Sequence, residues 1–452
     1  MSTRPGGRLV GLTAASVGVV YGYDLSIIAG VQLFVTGDFG LTTRQQELLT
    51  TMAVLGQIAG ALGAGVLANA FGRKRSVVSL LVAYAAFAVL GALSVSLPML
   101  LTARFLLGLT VGVSIVVVPV YVAESAPAAV RGSLLTVYQL ATVSGLIVGY
   151  VTAYLLAGAH AWRWMLGLAA VPAALLLPLL IRMPDTARWY VMKGRTADAR
   201  AALLRVEPAA DVEGELAEIG RAVGEGSAGR GGMAEMLRPP YLRATLFVVA
   251  LGFLIQITGI NAIVYYSPRI FEAIGFTGDF ALLGLPALVQ VAGLAAVFTA
   301  MLLVDRLGRR PILLCGIATM IAADVVLMAV FGRGVGGAVL GFAGVLLFIV
   351  GFTLGFGSLG WVYASESFPT RLRSIGSSTM LTSNLVANAI VAAVFLSMLH
   401  TLGGAGTFAV FAVLAVVAFG VVYRYAPETR GRELEDIRHF WENGGRWDKP
   451  CP

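Results

Sequence analysis

The sequence predicts an all-α membrane protein: twelve transmembrane helices in two pseudo-symmetric six-helix bundles. Three observations predict it. First, 58% of the 452 residues are hydrophobic and 12% are charged, with a mean hydropathy of +0.86. A soluble domain carries roughly 25% charge, so lipid must cover much of this surface. Second, the apolar residues form unbroken runs of the roughly 20 residues a helix needs to cross a bilayer. They are too long and too continuous for barrel strands, which alternate over about ten residues. Third, polar landmarks occur twice in one order. Gly72-Arg73-Lys74 returns as Gly308-Arg309-Arg310, Glu124-x-x-Pro127-x-x-x-Arg131 as Glu366-x-x-Pro369-x-x-x-Arg373, and Pro184-Asp185 as Pro427-Glu428. The copies stand roughly 240 residues apart, which marks two equivalent halves. In a chain this apolar, such halves point to a transporter.

The first half holds runs at 9–35, 47–70, 76–97, 99–122, 134–157 and 162–182. The first run is too long for a signal peptide, lacks a convincing cleavage site and contains Asp24, so it reads as a retained span. Gly56/Gly60 and Gly108/Gly112 stand four apart and let helix backbones approach closely. The polar stretch 183–243 then separates six runs from six. Thr196–Glu218 has helical composition, and Gly224–Gly232 is glycine-rich and reads as flexible. This stretch is a cytoplasmic linker rather than a catalytic domain. The second half holds runs at 244–273, 280–304, 311–331, 338–364, 374–399 and 406–425, with Gly351/Gly355 as its close-packing pair. The division is thus 1–182 for the N-terminal bundle, 183–243 for the linker, 244–425 for the C-terminal bundle and 426–452 for a cytoplasmic tail. In the tail, Arg432–Trp441 reads as a short amphipathic helix.

The net charge is +8 with a pI near 9.6. In a soluble protein that balance would raise nucleic acid as a partner; here the positions of the charges give a different reading. Arg4, Arg8, Arg73, Lys74, Arg75, Arg131, Arg306, Arg309, Arg310, Arg371 and Arg373 share one side if the N-terminus is inside, against Arg44, Arg163, Arg269 and Arg333 outside. The excess places both termini in the cytoplasm of a cell bounded by a plasma, or inner, membrane. Cys315 in a span and Cys451 in the tail make neither a disulfide framework nor a metal cluster. His160, His400 and His439 lie in loops or the tail, so no buried histidine relay is expected. No phosphate-cradling Gly-x-x-x-x-Gly-Lys-Ser/Thr motif occurs, which argues against an ATP-driven pump. No enzyme activity, cofactor or metal is expected.

In order along the chain stand Gly22-Tyr23-Asp24, Arg104-Phe-Leu-Leu-Gly108, Glu124 through Arg131, Gln139, Gln256-Ile-Thr-Gly259-Ile-Asn261 with Tyr265-Tyr266, Trp361 with Glu366, and Pro427-Glu428-Thr429-Arg430-Gly431. This set resembles the sugar porter family of the major facilitator superfamily over nearly the whole chain, and resembles its bacterial proton–sugar symporters in particular. The resemblance implies two six-helix bundles around a central site, alternating access, and a sugar or sugar alcohol as cargo. It implies a carrier that works as a monomer in the lipid bilayer, with protons as the second solute.

Asp24 is the sharpest functional residue. A carboxylate inside a membrane helix is costly unless paired, protonated or wet. Arg104 stands in or near the fourth span, and the resemblance pairs it with Asp24 in proton-coupled members. Burial favours a neutral acid while a nearby guanidinium favours its carboxylate, so a pair that forms and breaks would bind and release a proton. For the cargo, the expected contacts are Gln139, Gln256, Asn261, Tyr265, Trp361, Asn384 and Gln290. Amides supply donor and acceptor together, and Trp361 offers a flat apolar face to a pyranose ring. Gln256 and Asn261 lie about 140° apart on a regular helix, and reach one ligand more easily if the seventh span bends near Gly259. The resemblance further assigns Arg73, Glu124, Arg131, Asp185, Asp305, Arg309, Glu366, Arg373 and Glu428 to cytoplasmic networks that lock one transport state.

Departures from the family pattern bear on the cargo. Ile255 replaces the first of two adjacent glutamines, Gly293 replaces an asparagine with Gln290 one turn earlier, and Leu381 replaces a tryptophan. A pentose, polyol, inositol or less polar solute therefore fits as well as a common hexose. Asn69 stands where the second copy has Asp305, and Pro184-Asp-Thr-Ala-Arg188 departs from the family's Pro-Glu-Ser-Pro-Arg, which predicts a weaker lock in the first half. Asp324 in the ninth span reads as a paired or snorkelling structural residue. Rival readings are a facilitative uniporter, a drug–proton antiporter, and a sugar sensor that does not transport; the short tail argues against the last.

Overall fold

The computed structural model describes residues 5–126, 131–206, 211–228, 233–334, 337–432, 434–445 and 447. Pro127–Val130 of the first landmark and Cys451 lie outside them, as do the side chains of Arg131 and Asp305. Among the described residues the regular structure is helical, and 11 helical segments are long and apolar enough to cross a membrane. The last of these runs for 54 residues, Leu372–Tyr425. It contains the eleventh and twelfth spans, because the backbone leaves helical geometry at Gly403 (φ 68°, ψ 174°).

The chain divides into two compact units, Met1–Gly229 and Arg230–Pro452, and the boundary falls inside the polar stretch 183–243. In the first unit, α1 (Pro5–Ala15) and α2 (Gly18–Phe39) make the first span. The next four are α3 (Thr43–Phe71), α4 (Arg73–Ala92), α5 (Leu97–Ser125) and α6 (Arg131–Ala157), and the sixth is α7 (Trp162–Gly167) with α8 (Ala170–Ile181). Thr42 caps α3: its hydroxyl accepts from the Gln45 amide while the Gln45 side chain accepts from the Thr42 backbone. Helix α3 packs on α5 and α2 on α6. At the first of these seams a Cβ on Gly56 or Gly60 would collide with the carbonyls of Phe105 and Leu109, and one on Gly108 or Gly112 with those of Ala53 and Gln57. These glycines are therefore the reason the two backbones touch.

The polar stretch folds against this unit as α9 (Ala187–Met192), α10 (Thr196–Val206) and α11 (Val212–Ala228). Ala187, Ala199, Leu203 and Leu216 form a small core of their own, flanked by Tyr190 and Ile219. The expected flexible segment beginning at Gly224 is instead helical to Ala228. Leu216 and Ile219 hold the first part of α11 against its neighbours, while Gly224 near its end is exposed with nothing close to it.

In the second unit, α12 (Met233–Met236) precedes a seventh span in two pieces, α13 (Leu242–Ile257) and α14 (Ile260–Ile274). The eighth span is a π turn (Phe280–Gly284) leading into α15 (Leu285–Leu307), and the ninth is α16 (Arg309–Arg333). The tenth is α17 (Gly337–Phe352), a π segment (Thr353–Gly357) and α18 (Ser358–Glu366). Helix α19 (Thr370–Tyr425) supplies the last two spans and α20 (Leu434–Glu442) the tail helix. Ile437, Phe440 and Trp441 are buried, and Trp441 lies against Phe247 at the start of α13.

Candidate functional site

In the first unit, Asp24 on α2 and Arg104 on α5 are joined by an ion pair: Arg104 Nη1 donates to Asp24 Oδ1 at 2.9 Å. Both side chains are 2% exposed. A pair this deep persists only when its geometry offsets the loss of water. Tyr84 supports the surroundings by donating to the Val20 carbonyl one turn before Asp24. Tyr23 ties α2 to α7 through the Met165 carbonyl at 2.9 Å. Gln139 on α6 is half-buried and makes no hydrogen bond among the described residues.

The other expected cargo residues belong to the second unit. The seventh span breaks at Gly259, which takes φ +99°, a left-handed conformation that costs other L-residues. Helix α14 then deviates again at Tyr266 (φ −121°, ψ 17°), two residues before Pro268, whose ring interrupts the helical ladder. Across this broken helix runs a strip of amides. Gln256 Nε2 donates to Asn384 Oδ1 at 3.2 Å, and Asn384 Nδ2 donates to the Gly252 carbonyl at 3.3 Å. Further along, Tyr265 Oη accepts from Asn261 Nδ2 at 3.4 Å and from Asn388 Nδ2 at 3.1 Å. Tyr266 is fully buried, donates to the Ala392 carbonyl and stacks on Phe395, which is a packing role.

Gln290 is buried on α15, and its Oε1 lies 3.8 Å from where a Cβ on Gly293 would stand. Nearer to that position stand Ile349 Cγ2 at 3.2 Å and Thr353 Oγ1 at 3.7 Å, so Gln290 is one of three neighbours there. Trp361 on α18 is 41% exposed and makes no hydrogen bond among the described residues. Asn388 is a residue that sequence reasoning missed. The signal was present, since an amide four positions after Asn384 in an apolar helix shares its face. In the first unit, Gln57 is likewise buried with Oε1 unpartnered.

The duplicated polar landmarks repeat in atomic detail. Asp185 Oδ1 accepts from the backbone N–H groups of Arg73 (3.0 Å) and Lys74 (3.2 Å) at the start of α4. Glu428 does the same for Arg309 and Arg310, both at 3.1 Å, at the start of α16. Gly72 and Gly308 precede these helices with φ 97° and 96°. Tyr121 donates to the Pro184 carbonyl and Tyr363 to the Pro427 carbonyl. Each acid neutralises the exposed N–H end of a helix.

The ion pairs are not duplicated. Arg73 binds Glu124 through two nitrogens, Nε to Oε2 at 2.9 Å and Nη2 to Oε1 at 3.1 Å. Arg309 and Arg373 form no ion pair with Glu366 among the described residues. The side chain of Asp305, the counterpart of Asn69, lies outside the described residues, and the weaker first-half lock stays an expectation. The departures themselves supply contacts: Thr186 Oγ1 donates to Glu124 Oε2 at 2.7 Å and Asn69 Oδ1 accepts from Arg73 at 3.3 Å. Asp324 differs from expectation. It is 0% exposed and neither oxygen has a hydrogen-bond partner among the described residues, so it neither snorkels nor pairs with any of them.

Two like helical halves, a buried ion pair and a strip of amides inside apolar spans define a secondary membrane transporter. The family described as "Sugar (and other) transporter" matches residues 10–441. The galactose-proton symporter of Escherichia coli K12 is 36% identical over 94% of this chain and 92% of its own length. The arabinose-proton symporter of the same organism is 32% identical (96% and 93%), as is a probable polyol transporter of Arabidopsis thaliana (96% and 91%). Among solved structures, the xylose transporter XylE from E. coli matches with a TM-score of 0.83 at 24% identity, over 96% of this chain and 99% of that one. The chain belongs to the sugar porter family of the major facilitator superfamily.

Proposed function

We propose that this protein imports a monosaccharide or polyol by proton symport, with alternating access, as a monomer in the plasma or inner membrane with both termini in the cytoplasm. The buried Asp24–Arg104 pair carries the coupling part of this reading. A carboxylate held by one guanidinium at 2.9 Å has its charge balanced only while that contact lasts. In this reading the coupled proton is exchanged at this pair as it parts and re-forms during the transport cycle. The driving force suffices, since one charge moved through 100 mV is worth about 2.3 kcal/mol, or roughly a 50-fold accumulation.

The relatives' named solutes (galactose, arabinose and polyols) support the cargo class. Gln139, Gln256, Asn261, Tyr265, Trp361, Asn384 and Gln290 contact that cargo in this reading. Arg73, Glu124, Arg131, Asp185, Asp305, Arg309, Glu366, Arg373 and Glu428 stabilise one transport state at the cytoplasmic ends of the helices. The excess of basic residues in that set of loops supports the orientation.

Uptake into proteoliposomes with an imposed proton gradient tests the reading. Asp24→Asn is expected to abolish accumulation against a sugar gradient while sugar counterflow persists. An Asp24→Asn protein that still concentrates sugar would refute proton coupling through this residue.

A further inference from the structure

Asn388 lies one turn beyond Asn384 on α19 and is 1% exposed. Its neighbours Leu385, Ala387, Val391 and Ala392 are all buried apolar residues, so the amide has no local reason to be there. An amide offers an oxygen acceptor and two N–H donors. The nitrogen of Asn388 meets Tyr265 Oη at 3.1 Å, but Oδ1 has no hydrogen-bond partner among the described residues. The tyrosine engages one end of the amide and cannot serve the other as well. An unpaired amide oxygen in an apolar span is costly.

A second oxygen on the same strip is in the same state. Gln256 donates its nitrogen to Asn384, and its Oε1 is buried without a partner. The second unit therefore holds two orphaned acceptors along the broken seventh span and α19, each on an amide whose nitrogen is already tethered. Tethering fixes the direction of the free oxygen. Rigid acceptors await a donor, and the groups a sugar or polyol presents in quantity are hydroxyl donors.

We propose that Asn388 is a specificity-determining residue, whose Oδ1 accepts a hydrogen bond from one hydroxyl of the carried sugar or polyol while Tyr265 holds the amide in place. This rests on the reading that the chain carries such a solute. A site built around a hydroxyl rejects the analogue lacking it, because its own polar group is then left unpaired. An apolar side chain at 388 removes that penalty.

The experiment is sugar counterflow in proteoliposomes of the full-length protein and of Asn388→Leu. The probes are D-galactose, D-glucose, D-xylose, L-arabinose, myo-inositol and sorbitol, with the monodeoxy analogues of whichever competes best. In the wild type, one monodeoxy analogue is expected to compete about 10-fold or more weakly than its parent. In Asn388→Leu the parent should weaken and the analogue should hold or gain, so the gap closes. Asn388→Ala carries the same readout where the leucine variant fails to insert. A uniform loss across all sugars in both variants would mark a structural role and overturn the proposal, as would an unchanged gap. A wild-type protein that exchanges none of the probes overturns the transport reading and this inference together; a transporting wild type with an insensitive gap overturns this inference alone.

Discussion

Two aspartates inside spans show how strongly the surroundings of one residue govern its meaning. Asp24 has a guanidinium at 2.9 Å, whereas Asp324 has no partner and is completely buried among Ile317, Met320, Ala323 and Leu327 of its own helix. Removing one member of a buried pair strands the other, at about 3–5 kcal/mol. Arg104→Leu is accordingly expected to lower the thermal midpoint sharply, and Asp24→Asn/Arg104→Leu to recover part of the loss. Asp324 is the opposite case. An unsatisfied buried polar group costs about 1–3 kcal/mol, so Asp324→Val should raise the midpoint by about that equivalent and leave uptake unchanged. If both Asp324→Val and Asp324→Asn lowered it, the carboxyl would have a partner in the membrane. The family resemblance already pairs Asp24 with Arg104, 80 positions away, whereas the residues around Asp324 gave no sign that its carboxyl would be buried without a partner among the described residues.

At the scale of single elements, glycine and proline placement did most of the shaping. Gly259 breaks the seventh span as its sequence neighbourhood led one to expect, and a Cβ there would stand 2.9 Å from the Phe411 ring. Gly259→Ala combines left-handed strain of about 1–2 kcal/mol with that clash. A loss of at least this size should appear in thermal unfolding, together with slower counterflow if the break works as a hinge. At the α3–α5 seam, Gly108→Val would push against the Ala53 carbonyl, and overpacking of this kind costs about 1–3 kcal/mol. A midpoint unchanged by that substitution would mean the helices separate freely. The glycine-rich segment from Gly224 continues α11 as helix to Ala228, although the apolar packing of that helix lies earlier, at Leu216 and Ile219.

For the whole chain, the duplication is real in the backbone and incomplete in the side chains. Asp185 and Glu428 cap equivalent helices, and loss of a capping side chain typically costs about 1 kcal/mol, so Asp185→Ala and Glu428→Ala should destabilise by similar amounts. Arg73→Ala and Arg309→Ala should not match. The first breaks a two-point contact to Glu124 and strands a half-buried acid; the second removes no ion pair among the described residues. Equal losses for the two arginines, measured by thermal unfolding in detergent, would contradict this asymmetry.

Span number, the repeat and most of the amide strip were legible in the residues alone. Each depends on local chemistry: apolar run length, a recurring order of polar residues, amides spaced along an apolar run. That Asp185 and Glu428 cap helices starting 112 and 119 positions earlier, and which amide oxygens stay unpaired among the described residues, were settled by folding. Those outcomes depend on distances between residues tens to hundreds of positions apart, and side-chain geometry at a helix seam is a property of both helices, carried in neither one's sequence.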